Sequence, residues 1–361
     1  MFHALLVSFI MTAAGPVETP APERFIVLSE FQIWADPVGP ETYRALNKLY
    51  LERGHCHSFN LYRRGKGFDY FIWDQERTKY WVDECVALGA FNVFCMGDDT
   101  RTGKGRLFTT EGVNPKLADV LFDTIAYAHQ RGLMVSIEPV TLPKVRDEEH
   151  FTKWLNAWIG PDVPKARRAD IIKLSIEWFG GWQKQPKNMA HELDAFLKAC
   201  KKVNPEVLVY IDSIGGKWYR PQILHRWLLS EYPGTIVSHY LNTAHVDDFR
   251  KMGARNMMVQ INPCEAGQGI GCHLFLYFDD TVKSLKDIVK KRVRYVSLAG
   301  VNYAYSRRDF DLFLDVIRPH LALASDVEAL RGSIAPDEIR QPASKEEVRA
   351  EYSKVVPEKK P

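Results

Sequence analysis

Three carboxylic acids stand where short apolar runs stop: Glu138 in LMVSIEP, Glu177 in IIKLSIEW and Asp212 in VLVYIDS. A positioned carboxyl can donate a proton, accept one or attack as a nucleophile. A near-continuous apolar run is the mark of a parallel strand buried on both faces. In a βα barrel, residues at the ends of such strands occupy the carboxyl face, where chemistry takes place. Glu177 is flanked by Trp178 and Trp182 and followed by the Gly180–Gly181 turn. Aromatic surface strips water from a carboxyl and favours its protonated form, which suits Glu177 to act as general acid. Asp212 and Glu138 are the candidates for the second carboxylate. Neighbouring strands lie about 4.8 Å apart, so adjacent strand ends fall in the ~5–9.5 Å range over which two carboxyls act on one glycosidic bond.

Other strand-end residues fit binding. Trp34, Trp178, Trp182 and Trp218 all follow strand ends, and flat aromatic faces suit the apolar faces of sugar rings. Glu30, His239, Tyr240, Asn262 and Glu265 complete the expected substrate-binding set. The facing of Glu30 is open, and His239 and Tyr240 cannot both face inward. Trp81, Trp154, Trp158 and Trp227 fall in helical patterns and are expected in the core. No residue set at metal-ligand spacing surrounds His55, Cys56 and His57, so no metal and no cofactor are expected.

The elements that must hold these residues alternate regularly. Strands are expected at Phe25–Phe31, Phe91–Met96, Leu133–Glu138, Ile171–Glu177, Val207–Asp212, Thr235–Tyr240, Met257–Asn262 and Arg294–Ala299. Helical patterns separate them: 75–88, 116–131, 148–158, 189–202, 221–230, 244–252, 281–291 and 307–319. This points to an α/β fold, a (β/α)8 TIM barrel. A doubly wound sheet is the rival, disfavoured because no G-x-G-x-x-G follows the first strand. Side chains two apart share a strand face. Lys173, Ser175 and Glu177 are therefore expected in the lumen, with Ile172, Leu174 and Ile176 against the helices. The same alternation pairs Ser136 with Glu138, Tyr210 with Asp212, and Gln260 with Asn262.

The chain of 361 residues carries a net charge of +3, too near neutral to suggest nucleic acid or an anionic membrane as partner. Residues Ala4–Ala14 form a short apolar core before a Pro-rich linker, as in a secretory signal peptide. Residues 1–20 are accordingly assigned to signal and linker, 21–321 to the barrel and 322–361 to a mobile polar tail that holds at most one surface helix. Cys85, Cys95 and Cys200 lie in apolar patterns and are expected as packed thiols. Cys264 and Cys272 bracket a Gly-rich loop and are either a disulfide or two free thiols. The oligomeric state is not legible.

HQRGLMVSIEP, leading into the third strand, and SIEWFGGW, at the fourth, resemble the corresponding passages of barrel glycoside hydrolases. The resemblance spans about residues 24–320 at the level of fold and matches no specific family, since Ile176 stands where the largest clan carries Asn before its acid. It implies a glycosidase acting on carbohydrate, with Glu177 as acid and Asp212 or Glu138 as base or nucleophile; the signal-like N-terminus makes the expected location secreted or periplasmic. Two other functions fit the same residues. Glu177, Asp212, His239 and Glu265 also follow the order of a metal-dependent sugar isomerase or epimerase, and the aromatics alone would serve a non-catalytic carbohydrate-binding barrel.

Overall fold

The computed structural model describes residues 26–30, 75–88, 92–97, 106–175, 188–212, 221–240, 245–261, 295–299 and 337–353, with scattered positions between 283 and 319. Eight five-residue strands lie in it: β1 (Ile26–Glu30), β2 (Val93–Gly97), β3 (Met134–Glu138), β4 (Ile171–Ser175), β5 (Leu208–Asp212), β6 (Ile236–Tyr240), β7 (Met257–Ile261) and β8 (Tyr295–Ala299). Each pairs in parallel with the next, and β1 pairs with both β2 and β8, so the curled sheet closes on itself. Seven helices are described: α1 (Gln75–Leu88), α2 (Ala118–Gln130), α3 (Glu148–Ile159), α4 (Met189–Val203), α5 (Pro221–Glu231), α6 (His245–Met252) and α7 (Lys345–Ser353). Of the helix expected at 281–291, residues 283, 286–288 and 290 are described and helical, whereas all but residue 319 of the helix expected at 307–319 and the final two residues of the expected fourth strand fall outside the described residues.

Alternation along the strands sorts the core into two layers. Val135, Ile137, Ile172, Leu174, Val209, Ile211, Val237 and Val259 pack outward against helix residues such as Phe151, Leu155, Leu193 and Phe196. Val93, Cys95, Met134, Ile171, Tyr210, Ile236, Met258 and Tyr295 form a separate cluster that fills the lumen. Lumen and shell thus follow the period of two expected for β4 and β5. Trp154, Trp158 and Trp227 are buried in the shell as expected. Trp154 also donates from Nε1 to the Thr109 carbonyl at 2.9 Å, and both Trp154 and Trp158 pack on Phe108 of a short hairpin. Cys85, Cys95 and Cys200 are buried thiols outside any disulfide, and burial pushes the Cys200 thiol well up.

Local signals fix the helix ends. The Asp147 carboxylate accepts from the His150 amide at 2.9 Å and caps α3. At the end of α2, Gly132 has φ +80, and the Gly132 and Leu133 amides donate to the His129 and Ala128 carbonyls. That bond pair is a Schellman motif. Gly253, at φ +100, ends α6 in the same way.

The end of the chain corrects one expectation. Part of the segment assigned to a mobile tail is docked: Ala343 and Val348 are buried, and α7 packs on α4 and α5. Ser344 and Glu347 cap α7 reciprocally, the Ser344 amide donating to Glu347 at 2.7 Å and the Glu347 amide to Ser344 Oγ at 3.1 Å. The polar composition of this stretch conceals a helix with one buried stripe and a set of ion pairs. No helix among the described residues is long and apolar enough to cross a membrane.

Candidate functional site

The carboxyl ends of β3, β4 and β5 form the centre of the candidate site. β3 and β4 run side by side with Ile137 opposite Ile172, which puts Glu138 beside Lys173 one step further on. Lys173 Nζ donates to Glu138 Oε2 at 3.0 Å. The lysine side chain is 8% exposed and the glutamate 23%, so the ammonium is enclosed while the carboxylate reaches the mouth. Tyr210 faces Lys173 in register on β5, and the ammonium lies 5.8 Å from its ring centroid. An ammonium over an aromatic face at this range is held by the ring quadrupole. Below this level the lumen is Ser136 and Cys95, paired in register. Gly97 stands opposite Glu138 on β2 and brings no side chain. Pro139 follows Glu138 and is buried, which fixes the chain as it leaves the strand.

The backbone register places four more of the expected residues. Asp212 ends β5 opposite Ser175 of β4, two positions beyond Tyr210. Glu30 ends β1 opposite Ala299, in the row that includes the lumen residue Tyr295. Tyr240 ends β6 opposite Gln260, in the row of Ile236 and Met258. His239 stands opposite Val259, in the row of the shell residues Val237 and Val259. Glu177, Trp34, Trp178, Trp182, Trp218, Asn262 and Glu265 lie outside the described residues, as do Cys264 and Cys272.

Lys173 is the site residue that sequence reasoning passed over. The period of two puts it in the lumen with Ser175 and Glu177, but nothing in the sequence pairs it with Glu138. The signal was its spacing: it stands two residues below Ser175 on a strand of otherwise aliphatic neighbours. Among the described residues, no group of three or more His, Cys, Asp or Glu side chains is gathered as for a metal.

A second polar cluster lies at the opposite end of the strands. Asp170, just before β4, accepts the Val135 amide at 2.8 Å and lies 2.7 Å from His129 Nε2. His129 Nδ1 lies 2.9 Å from the Ala166 carbonyl oxygen. This cluster ties α2 to β3 and β4 at the amino face, where barrels carry stability and not chemistry.

No family model matches the chain, and no curated protein does. Solved structures similar to it include the GH53 catalytic domain of Ignisphaera aggregans, 13% identical with TM-score 0.43, covering 83% of this chain and 96% of that one. An endoglucanase of Pseudomonas stutzeri is 13% identical with TM-score 0.45, covering 76% and 92%. The 7,8-dihydropteroate synthase of Vibrio fischeri is 11% identical with TM-score 0.39, covering 85% and 94%. Glycoside hydrolases and a synthase thus stand side by side, and no family is singled out.

Proposed function

We propose that this chain is an exported glycoside hydrolase on a complete (β/α)8 barrel, cleaving an oligo- or polysaccharide with two carboxyl groups at the carboxyl ends of the strands. One observation carries the reading: Glu138 ends β3 and Asp212 ends β5, with β4, the strand that leads to Glu177, between them. Glu138 lies beside Lys173 and Asp212 pairs with Ser175, so both carboxyls flank the strand that leads to Glu177, and neighbouring strands lie about 4.8 Å apart. Glu177, beside Trp178 and Trp182, is the general acid. Glu138 is the base or nucleophile. It accepts a hydrogen bond from the Lys173 ammonium, and an ammonium only donates, so this carboxyl presents acceptor oxygens. Asp212, Glu30 and Tyr240 bind sugar hydroxyls, and Trp34, Trp178, Trp182 and Trp218 stack on sugar rings. The reaction needs no cofactor. Export removes Ala4–Ala14, so the mature chain from its native host begins near Gly15. N-terminal sequencing checks this, and a product that retains Met1 ends the export claim.

The decisive experiment is leaving-group dependence in E177Q. A shape-conserving amide cannot donate the proton, so turnover on glycosides with poor leaving groups falls by about 10²–10⁴. Dinitrophenyl glycosides need little protonation and lose far less. Equal slowing of both classes removes Glu177 as the acid. A metal-dependent isomerase would instead lose activity to EDTA and regain it with a divalent cation.

A further inference from the structure

We propose that Lys173 is the positioning residue for Glu138: a buried ammonium that clamps the second carboxylate in line with the glycosidic carbon. This rests on the hydrolase reading and assigns the residue that makes its second carboxyl effective. The enclosed partner is the lysine, at 8% exposure, while the glutamate at 23% is the one that can meet substrate. The lysine is fixed from two sides, by its own strand and by the Tyr210 ring at 5.8 Å. Its reach to Glu138 is a direct contact of 3.0 Å. On the far flank of Glu138 the register partner is Gly97, which has no side chain to steer a carboxylate. The Lys173 contact supplies lateral restraint from the β4 side. A carboxylate free to rotate about its own χ angles spends its time among several rotamers. One tied to an immobile ammonium is held near a single approach direction, and misplacement by about 1 Å costs on the order of 10² in rate.

The test is a double-mutant cycle in the full chain with K173M, E138Q and K173M/E138Q. Turnover is measured on dinitrophenyl glycosides of the common hexoses and pentoses in both anomeric forms. These substrates bypass the acid and isolate the second carboxylate. A positioning role predicts that K173M lowers kcat by about 10² with little change in KM, and that K173R, which keeps a cationic donor, recovers turnover above K173M. It also predicts that the double variant is no slower than E138Q, because Lys173 then has nothing to position. If K173M does not fold, E138Q against K173M/E138Q carries the same comparison, since removing both members of a buried pair is tolerated better than removing one. A double variant much slower than E138Q, or a K173M whose loss appears in KM alone, overturns the role of Lys173 while the hydrolase reading stands. A wild-type chain that cleaves none of these glycosides and releases no sugar from polysaccharide overturns the hydrolase reading, and the positioning role with it.

Discussion

Asp194 is the charged centre on which the end of the chain docks. Burial opposes its ionisation, yet hydrogen bonds from Lys345, Tyr232 and Lys198 prevail and hold its carboxyl below the ordinary aspartate value. Lys345 lies 2.8 Å and Lys198 3.1 Å from Oδ2. Tyr232 is pushed up in turn, first by burial and then by its bond to Asp194. A group depressed in the folded state contributes stability that is complete above its unfolded value, about 3.9. That stability is lost as pH falls through the folded value. D194N should therefore melt below wild type at about pH 7, with the gap closing as the pH drops below about 4. Thermal unfolding of both proteins across that range checks it. A gap of equal width at both ends would mean that Asp194 acts by shape and not by charge. The contrast with Lys173 is one of address: both residues are buried ions, but Asp194 sits in the helical shell and Lys173 in the lumen beside Glu138.

At the scale of elements, the end of α6 is where the barrel and the docked segment share a residue. Gly253 lies at φ +100, and a Cβ added there would meet the Glu338 carbonyl oxygen at 1.8 Å. Its carbonyl accepts the Glu338 amide at 3.0 Å, and the neighbouring Met252 carbonyl accepts the Arg340 amide at 3.0 Å. Gly132 is the internal control: it ends α2 in the same motif at φ +80, with nothing within 4 Å of an added Cβ. G132A should lose about 1–2 kcal/mol, the cost of an L residue in a left-handed conformation. G253A should lose that and also displace Glu338, so that protection of the Arg340 amide against hydrogen exchange falls as well. Equal losses in the two variants, with Arg340 still protected, would show that the docked segment adjusts at no cost. Elements were legible in the sequence wherever period and punctuation agreed. The helix at 75–88 matches residue for residue, and the eight strands lie within two residues of expectation wherever they are described. α7 was not read as docked, because its signals are a Ser-x-x-Glu box and two buried apolar side chains in a stretch dominated by charge.

The whole molecule divides by face. The carboxyl ends of the strands carry Glu138, Lys173 and Asp212, and the amino ends are stitched together from outside. One carboxylate shows how: Asp337 accepts the Arg255 and Asn256 amides at 2.6 and 3.2 Å, and its other oxygen accepts the Gly234 amide and Asn256 Nδ2, both at 3.2 Å. Gly234 leads into β6 and Asn256 into β7, so a single side chain joins the entries of two neighbouring strands. This contact spans 103 residues from Gly234 to Asp337 and has no local signature, which is why sequence reading missed it. Glu138 and Asp212 were legible as strand ends because each closes its own apolar run, whereas pairing between Lys173 and Glu138 needed the register of two strands. The division has a consequence for truncation. A chain that stops before Asp337 loses those four hydrogen bonds, the ion pair from Lys345 and the cover over α4 and α5. Each stranded amide costs ~1–3 kcal/mol when it stays buried, so the loss should lower Tm by several degrees, at about 2–4 °C per kcal/mol for a large domain. The candidate carboxylates Glu138 and Asp212 sit at the other end of strands five residues long, about 17 Å along the strand direction. Below the new melting transition, the truncated chain should therefore turn over dinitrophenyl glycosides at the wild-type rate, while amide exchange rises at Gly234, Arg255 and Asn256. A truncated chain that keeps its Tm would remove the stitch from the stability of the barrel. One that keeps its fold but loses turnover would mean that the two faces are coupled through the strands.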